Sequence, residues 1–345
     1  MSNRCYTGYL DKIAKATGTS KSTVSRTLNH CGGIDPETRS RVLKEACRQD
    51  AAPGRRLRPR KTDIFLILPD TPRYIWGAAF DGVMSGEADL RSSRHIYSPL
   101  DGKSGADEKV VVLDYLDRAV EEQPGAILLS PPLGKEITAK LETMAAAFPL
   151  FFLNQYIPLK NTFYIGEDPV AAGRMVGEAC LRRFGRPVRA LCITDRQRWI
   201  SAGRYRGFAD AVKAGGGTIA CALTPPVQGR GRLLSARLAR MMAEVEAGTF
   251  DIVYCTEDFL PQVCLAVKKL RLDVICFGHG NPKENEMFWA DGTLGALTEQ
   301  DYYTLGRTAV ELVAAYCEKQ LYPAQKFTYL PVALRMNQGN SRIDG

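Results

Sequence analysis

From Ile64 onward the sequence alternates short apolar segments with amphipathic segments, and this alternation constrains the fold most strongly. Apolar segments of strand length lie at 64–69, 126–130, 150–153, 190–194, 251–255 and 273–277. Helical periodicity lies between them, at 76–90, 110–121, 171–184, 204–214, 233–246 and 259–270. Apolar strands flanked by helices are typical of parallel sheets covered on both faces. About ten such strands favour two doubly wound α/β lobes, with a ligand cleft beyond the carboxyl ends of the strands.

Length and composition restrict the class of protein. A chain of 345 residues suggests two or three domains. The sequence has no apolar run of transmembrane length and no apolar signal core at its start, so we expect a cytoplasmic protein that does not contact membranes. Ten cysteines include no Cys-x-x-Cys pair, and three of them lie in strand-like segments. We therefore expect reduced, buried thiols and neither a metal nor a cofactor.

Two apolar stripes at helical spacing, on either side of a glycine, predict two short helices joined by a turn over residues 10–29. The stripes are formed by Leu10, Ile13 and Ala14, and by Val24 and Leu28. Gly18 can adopt the positive φ of a tight corner, and Ser20 is placed to cap the second helix. This pattern indicates a helix-turn-helix, and the alternative is a small helical hairpin with a polar face.

The predicted second helix has an outer face suited to DNA. Its polar side chains are Lys21, Ser22, Thr23, Ser25, Arg26 and Asn29. Residues 1–61 contain 14 Lys and Arg against 5 Asp and Glu, whereas residues 62–345 contain 32 against 33. A basic end on a near-neutral body favours a polyanion-binding module attached to a second unit.

A third helix and a basic linker follow. Asp35 is a predicted N-cap with Pro36 at the first helical position, which completes a three-helix headpiece over residues 1–49. Residues 50–62 are rich in Arg, Pro and Gly, with Leu57 as their one large apolar side chain. The linker is either a solvated, self-repelling segment or one that folds on DNA and inserts Leu57 into the minor groove.

These segments together resemble the LacI/GalR family of bacterial transcription regulators over nearly the whole chain. The resemblance is carried by IAKATGTSKSTVSRTLN and IDPETRSRVLKEA, then by GEDPVAAGRMVGEACLRRFG, RYRGFADAV and TEQDYYTLGRTAVELV. It implies a periplasmic-binding-protein-like core over 63–345, with an N-subdomain at about 63–160 and 292–323 and a C-subdomain at about 161–291 and 324–345. It also implies a homodimeric regulator, in the first instance a repressor, that binds a pseudo-palindromic double-stranded operator and a small carbohydrate-like effector.

The resemblance also assigns roles to individual residues. Lys21, Ser22 and Arg26 match positions that reach base edges, Thr23, Ser25 and Asn29 match phosphate contacts, and Leu57 matches the hinge leucine of a shortened hinge. The matching effector-cleft positions are Asn154, Tyr164, Arg204, Asp258, His279 and Gln300, with Tyr164 placed to give an aromatic wall. Tyr74 and Trp76, which follow the first predicted strand, could stack on a sugar ring. FGHG at 277–280 replaces the usual Gly-Phe-Asp-Asp, so that His279 stands in for a sugar-binding aspartate. For each aromatic residue the alternative is ordinary core packing.

Three classes of function are compatible with a chain of this composition: a DNA-binding regulator, an enzyme and a periplasmic solute receptor. The headpiece, the charge asymmetry and the two lobes together favour a DNA-binding regulator over an enzyme or a periplasmic solute receptor. The sequence contains no P-loop, no G-x-S-x-G elbow and no metal-ligand cluster. Absence of apolar heptads after the last predicted strand favours a dimer over a tetramer. The sequence leaves open whether the effector is a sugar, sugar acid, polyol or phosphorylated sugar, and whether it induces or corepresses.

Overall fold

The computed structural model describes residues 3–28, 35, 37–38, 41–42, 45, 64–68, 73–88, 94–97, 108–132, 134–224, 231–245, 248–319 and 325–337. From residue 64 onward these residues form two six-stranded sheets flanked by helices, which confirms the α/β architecture predicted from the alternating pattern. Among the described helices, none combines the length and apolar character needed to cross a membrane.

The first sheet and its helices form lobe 1. Its strands are β1 (Ile64–Ile67), β2 (Arg94–Tyr97), β3 (Ala126–Leu129), β4 (Leu150–Leu153), β5 (Thr162–Glu167) and β11 (Phe327–Leu330). They lie in the order β11-β5-β4-β3-β1-β2, and neighbouring strands of this sheet run parallel throughout the described residues. One face is covered by α3 (Arg73–Ala88) and α11 (Tyr302–Lys319), the other by α4 (Glu108–Glu122) and α5 (Lys135–Ala145).

The second sheet and its helices form lobe 2. Its strands are β6 (Arg189–Ile193), β7 (Thr218–Leu223), β8 (Ile252–Cys255), β9 (Ile275–His279), β10 (Leu294–Gln300) and β12 (Val332–Met336). They lie in the order β12-β10-β9-β8-β6-β7, and only the edge strand β12 runs antiparallel to its described neighbour. One face is covered by α6 (Pro169–Phe184) and α7 (Trp199–Ala214), the other by α8 (Gly231–Ala243) and α9 (Leu260–Leu270). The 3-10 turn Lys283–Asn285 and α10 (Glu286–Ala290) precede β10.

Lobe 1 corresponds to the predicted N-subdomain and lobe 2 to the predicted C-subdomain, but three strands lie in the other lobe from the one predicted. β5 and β11 lie in lobe 1 although the sequence placed them in the C-subdomain, and β10 lies in lobe 2 although it was placed in the N-subdomain. The reason is burial against distant partners. Phe163 pairs with Phe151 in lobe 1, whereas Leu294 and Leu297 are fully buried in the core of lobe 2. Within the described residues the chain therefore crosses between the lobes after β5, after β10 and after β11.

The headpiece begins with α1 (Asn3–Thr17) and α2 (Lys21–Leu28). Gly18 between them has a φ of +65°, and Ser20 Oγ accepts a hydrogen bond of 3.0 Å from the backbone N–H of Thr23. A small core unites both helices with one residue of the predicted third helix: Leu10, Ile13, Ala14, Val24 and Val42. Asp35 accepts a 2.8 Å hydrogen bond from the Thr38 amide, as predicted for its N-cap.

Several predicted features lie outside the described residues. They are Asn29, Pro36, the linker at 50–62 with Leu57, the side chain of Leu28 and the side chain of Tyr74.

Candidate functional site

A cleft lies between the lobes, where the strand pattern predicts a ligand site. Its walls come from the loops after β3, β4 and β8 and from the first turns of α3, α7 and α11. It is lined by Ile75, Trp76, Ser130, Asn154, Arg198, Ile200, Ser201, Arg204, Glu257, Asp258 and Tyr302. Trp76, Asn154, Arg204 and Asp258 were among the residues expected there.

Arg204 is held in the cleft by a buried ion pair that spans the lobes. Its Nε lies 2.6 Å from Oε1 of Glu167, the last residue of β5, and both side chains are almost fully buried. Its Nη1 donates a 2.7 Å hydrogen bond to the Thr256 carbonyl. Burial by itself lowers the pKa of the guanidinium, but the Glu167 carboxylate outweighs that effect and raises it. Arg204 is therefore a fixed cation whose charge is already neutralised inside the protein.

Arg198, the second arginine of the cleft, is also paired. Its Nη1 lies 3.4 Å from Oε2 of Glu257, whose side chain is 3% exposed. Oε1 of that carboxylate accepts hydrogen bonds from the Asp195 amide at 3.0 Å and from Thr256 Oγ1 at 2.9 Å. Glu257 therefore organises the loop after β8 and neutralises Arg198.

Asn154 and Gln300 join the lobes by a second buried contact. Asn154 Nδ2 donates a 2.6 Å hydrogen bond to Gln300 Oε1, from the loop after β4 to the end of β10. Asn154 has a φ of +48°, an uncommon conformation for a residue other than glycine. Gly166 makes room for it, because a Cβ at that position would lie 2.3 Å from Asn154 Oδ1.

Three buried polar atoms in this region have no hydrogen-bond partner within the described residues. They are Asn154 Oδ1, Ser201 Oγ and Gln300 Nε2. Ser201 is only 1% exposed, and Asn154 and Gln300 are also buried. Buried polar atoms in folded proteins are nearly always hydrogen-bonded, so unpaired ones on two cleft-lining residues, Asn154 and Ser201, indicate a place for a polar ligand.

Tyr164 does not form the aromatic wall that was expected of it. The ring is fully buried in the core of lobe 1, and its hydroxyl donates a 2.8 Å hydrogen bond to the Glu167 carbonyl. It packs at 4.6 Å from Trp199 and 6.3 Å from Tyr156, measured between ring centroids. The core-packing alternative is therefore the right one for this residue, since β5 belongs to lobe 1.

His279 does not replace the sugar-binding aspartate, because its side chain is directed into lobe 2. The ring is 2% exposed, with Nε2 at 2.7 Å from the Tyr254 hydroxyl and Nδ1 hydrogen-bonded to Thr298 Oγ1. Burial, assisted by the positive charge of Arg204, lowers the pKa of His279 well below its ordinary value. It is a neutral structural histidine in the part of the chain that the structure describes.

This burial predicts a pH dependence of stability. Because the unfolded chain binds a proton at His279 below about pH 6.5 and the native state does not, the free energy of unfolding should be greatest above that pH. It should fall on acidification by up to about 1.4 kcal/mol per pH unit. Urea unfolding between about pH 7.5 and 5 measures it.

The control for this prediction is His279→Gln, which keeps the other two histidines and removes only this titration. The difference between the two unfolding free energies should shrink as the pH falls. Parallel pH profiles of the two proteins would show that His279 takes up its proton in the native state as readily as in the unfolded chain, which would contradict the prediction.

The sequence interpretation missed Ser201, Arg198, Glu257 and Tyr302, and it missed Glu167 as the partner of Arg204. Position after a strand could have indicated three of them, because Arg198 and Ser201 follow β6 and Glu257 follows β8. Ligands in such folds bind at these strand ends. Tyr302, at the start of α11, follows β10 in the same way. The Glu167–Arg204 pairing has no local signal, because 37 residues separate the partners.

Comparison with known families agrees with this architecture. The profile described as a periplasmic binding protein domain matches residues 64–321, so the chain belongs to that family. The profile described as bacterial regulatory proteins, lacI family, matches residues 9–47, which contain α2 and the headpiece core. A chain with both parts is a DNA-binding transcription regulator of the lacI family, as the resemblance predicted.

Solved structures share the fold of the core. GanP, a glucose-galactose binding protein from Geobacillus stearothermophilus, gives a TM-score of 0.69 at 18% identity, over 80% of this chain and 97% of its own. A Caulobacter myo-inositol binding protein gives 0.66 at 17% identity, over 80% and 93%. A sugar-binding protein of a Bacillus halodurans sugar ABC transporter gives 0.67 at 13% identity, over 80% and 98%. No curated protein sequence is significantly similar to the chain.

Proposed function

We propose that this protein is a cytoplasmic repressor whose operator affinity is controlled by a small carbohydrate-like effector bound between the lobes. The observation that carries the proposal is that two cleft-lining residues, one from each lobe, have an unpaired buried polar atom within the described residues: Asn154 Oδ1 and Ser201 Oγ. Gln300, the hydrogen-bond partner of Asn154, adds Nε2. Sugar and inositol binding by structural neighbours supports a polyhydroxyl ligand. Because both lobes contribute, a bound ligand would favour one angle between them over another.

The residues proposed to contact the effector are those of the cleft that project from both lobes. From the sequence interpretation we retain Trp76, Asn154, Arg204 and Asp258, and we add Ser201. We also retain Gln300, which does not line the cleft but is hydrogen-bonded to Asn154. Tyr164 and His279 are no longer included. The proposed domain organisation keeps the headpiece at 1–49, the linker at 50–62 and the core from residue 63, with the lobe boundaries as corrected above.

We assign α2 to the major groove of the operator DNA. Lys21, Ser22 and Arg26 lie on its exposed face, and Lys21 forms a 2.5 Å ion pair with Asp11 of α1. Arg26 and Lys21 suit guanine O6 and N7, while Thr23, Ser25, Asn29 and Leu57 keep the phosphate and minor-groove roles implied by the family resemblance. Two headpieces of a dimer would then bind the half-sites of a pseudo-palindrome.

The proposal is tested with the full-length protein and an operator selected from a random DNA pool. Thermal stability is measured with each compound of a panel of sugars, polyols, sugar acids and sugar phosphates, because a ligand selective for the native state raises the melting temperature. Fluorescence anisotropy then measures operator affinity with and without each stabilising compound. A compound that raises the melting temperature and weakens operator binding supports a repressor that is induced. Specific DNA binding that no stabilising compound changes contradicts effector control.

Arg26→Ala is predicted to weaken binding to the selected operator by about 1–3 kcal/mol, because a bidentate contact to a base is lost. Binding to random DNA should change much less, since that affinity comes from phosphate contacts. Lys15→Ala, which removes an exposed charge of α1, is the matched control. Equal losses on operator and random DNA would contradict a base-reading role for Arg26.

We assign the homodimer interface to the outer surface of α3 and α11. Phe80 and Met84, one turn apart on α3, are 36% and 40% exposed, and Tyr303 of α11 is 40% exposed beside them, hydrogen-bonded to Ser85 at 2.7 Å. Met84→Asp should shift the protein from dimer to monomer in sedimentation velocity and weaken operator binding. Met287→Asp, at a 57% exposed methionine of lobe 2, should leave the dimer intact. Dimers of unchanged stability in Met84→Asp would place the interface elsewhere.

A further inference from the structure

The described groups of the cleft carry no excess positive charge before any ligand arrives. Among the described lining residues, Arg198 and Arg204 face Glu257 and Asp258, and Glu167 lies directly behind Arg204. The described groups therefore sum to one negative charge. An anionic ligand would enter a site with no excess positive charge, and it would lose its hydration without a compensating ion pair.

The arrangement of the guanidinium nitrogens leads to the same conclusion. Carboxylates and phosphates bind arginine most strongly through two parallel N–H bonds. At Arg204, Nε is bound to Glu167 and Nη1 to the Thr256 carbonyl, which leaves only Nη2 without a hydrogen bond in the described part of the chain. A single remaining nitrogen can donate to a hydroxyl but cannot clamp an anion.

The unpaired polar atoms of the cleft are uncharged and of mixed kind. Asn154 Oδ1 accepts, Gln300 Nε2 donates, and Ser201 Oγ does both. Hydroxyl groups likewise both donate and accept, so each of these atoms can pair with a hydroxyl. An ionised carboxylate offers only acceptors and cannot itself pair with Asn154 Oδ1.

Apolar residues of the cleft complement these polar atoms. Trp76, Ile75 and Ile200 supply apolar surface for the C–H groups of a polyhydroxyl compound.

From these observations we infer that the cleft selects an uncharged polyhydroxyl compound, a sugar or a polyol, and discriminates against carboxylated and phosphorylated forms of the same compound. The inference rests on the proposed function and narrows its ligand class. Glu167 and Glu257 act in this discrimination as positioning residues that neutralise the two arginines.

The test uses sets of compounds that share a ring and differ in one charged group. Isothermal titration calorimetry of the full-length protein compares D-glucose with D-glucuronate and D-glucose 6-phosphate, D-galactose with D-galacturonate, and myo-inositol with myo-inositol 1-phosphate. At least one uncharged compound should bind, and its anionic counterparts should bind at least about tenfold more weakly. An anionic compound that binds as tightly as its uncharged parent, or more tightly, overturns the inference.

Variants test the cause of the discrimination. Glu167→Gln removes the carboxylate behind Arg204 and should raise the affinity for the anionic compound relative to its parent. If Glu167→Gln does not fold, Glu257→Gln serves the same purpose, because it removes the carboxylate that neutralises Arg198. It should likewise raise the affinity for the anionic compound relative to its parent. Ser201→Ala should weaken the binding of the uncharged compound. An unchanged preference in both glutamine variants would overturn the assigned role of the carboxylates.

The outcomes separate this inference from the proposed function. An anionic compound that binds tightly and changes operator affinity would overturn the inference and leave effector control standing. If no compound of the series binds, the inference fails, and the wider panel with operator DNA then decides on effector control separately.

Discussion

Arg204→Met should reduce the free energy of unfolding by about 3–5 kcal/mol, the largest effect expected from one side chain of the cleft. The substitution leaves the Glu167 carboxylate buried without its cationic partner, which lies at 2.6 Å in the native protein. It also removes the hydrogen bond to the Thr256 carbonyl. Urea unfolding monitored by circular dichroism measures the change.

Two further variants define the cause. The double variant that carries both Arg204→Met and Glu167→Met should recover most of the free energy of unfolding that Arg204→Met loses. Replacing a whole buried ion pair by apolar groups is often neutral for stability. Arg182→Met breaks an exposed pair with Glu178 at 3.9 Å and should cost less than about 1 kcal/mol. If Arg204→Met costs no more than Arg182→Met, the ion pair does not stabilise the native state.

Gly173→Ala should both destabilise lobe 2 and abolish the response of operator binding to the effector. Gly173 of α6 faces α7 so closely that a Cβ would lie 1.9 Å from the Arg204 carbonyl oxygen, and Gly207 faces the Val170 carbonyl at the same distance. The neighbouring atoms are backbone, so α7 itself must move. We expect a net loss of about 1–3 kcal/mol, in spite of the higher helix propensity of alanine.

The functional effect follows from the place of α7 in the cleft. This helix carries both Ser201 and Arg204, so a shift of α7 would displace two of the proposed ligand contacts together. Unfolding experiments and effector titrations of the operator complex measure the two consequences. Ala171→Ser, on the exposed side of α6, is the control. A more stable Gly173→Ala protein with a normal response would contradict the close helix packing.

Features that depend on neighbours in the sequence were predicted well. Gly18 and Ser20 were assigned to the corner and the cap of the helix-turn-helix from local chemistry alone, and the structure gives them those roles. The predicted strand at 150–153 is β4 without change. Local signals suffice here because turns, caps and periodic helices are set by residues within a few positions of one another.

Features that depend on distant partners were not predictable in the same way. β5 and β10 were assigned to the wrong lobes because the sheet that a strand joins is decided by the strand it pairs with, far away in the chain. Tyr164 and His279 lie at positions that matched family ligand contacts, yet their side chains are buried within lobe 1 and lobe 2.

The sequence by itself therefore determined the helix-turn-helix, the α/β class and the position of a cleft at the strand ends. Only the tertiary structure decided which side chains reach that cleft and what charge they present. It brings Glu167 to Arg204 and Glu257 to Arg198, and it leaves Ser201 Oγ unpaired within the described residues. The physical reason is that periodicity is a local property of the chain. The charge and hydrogen-bonding capacity of a cleft instead result from contacts between segments that folding brings together.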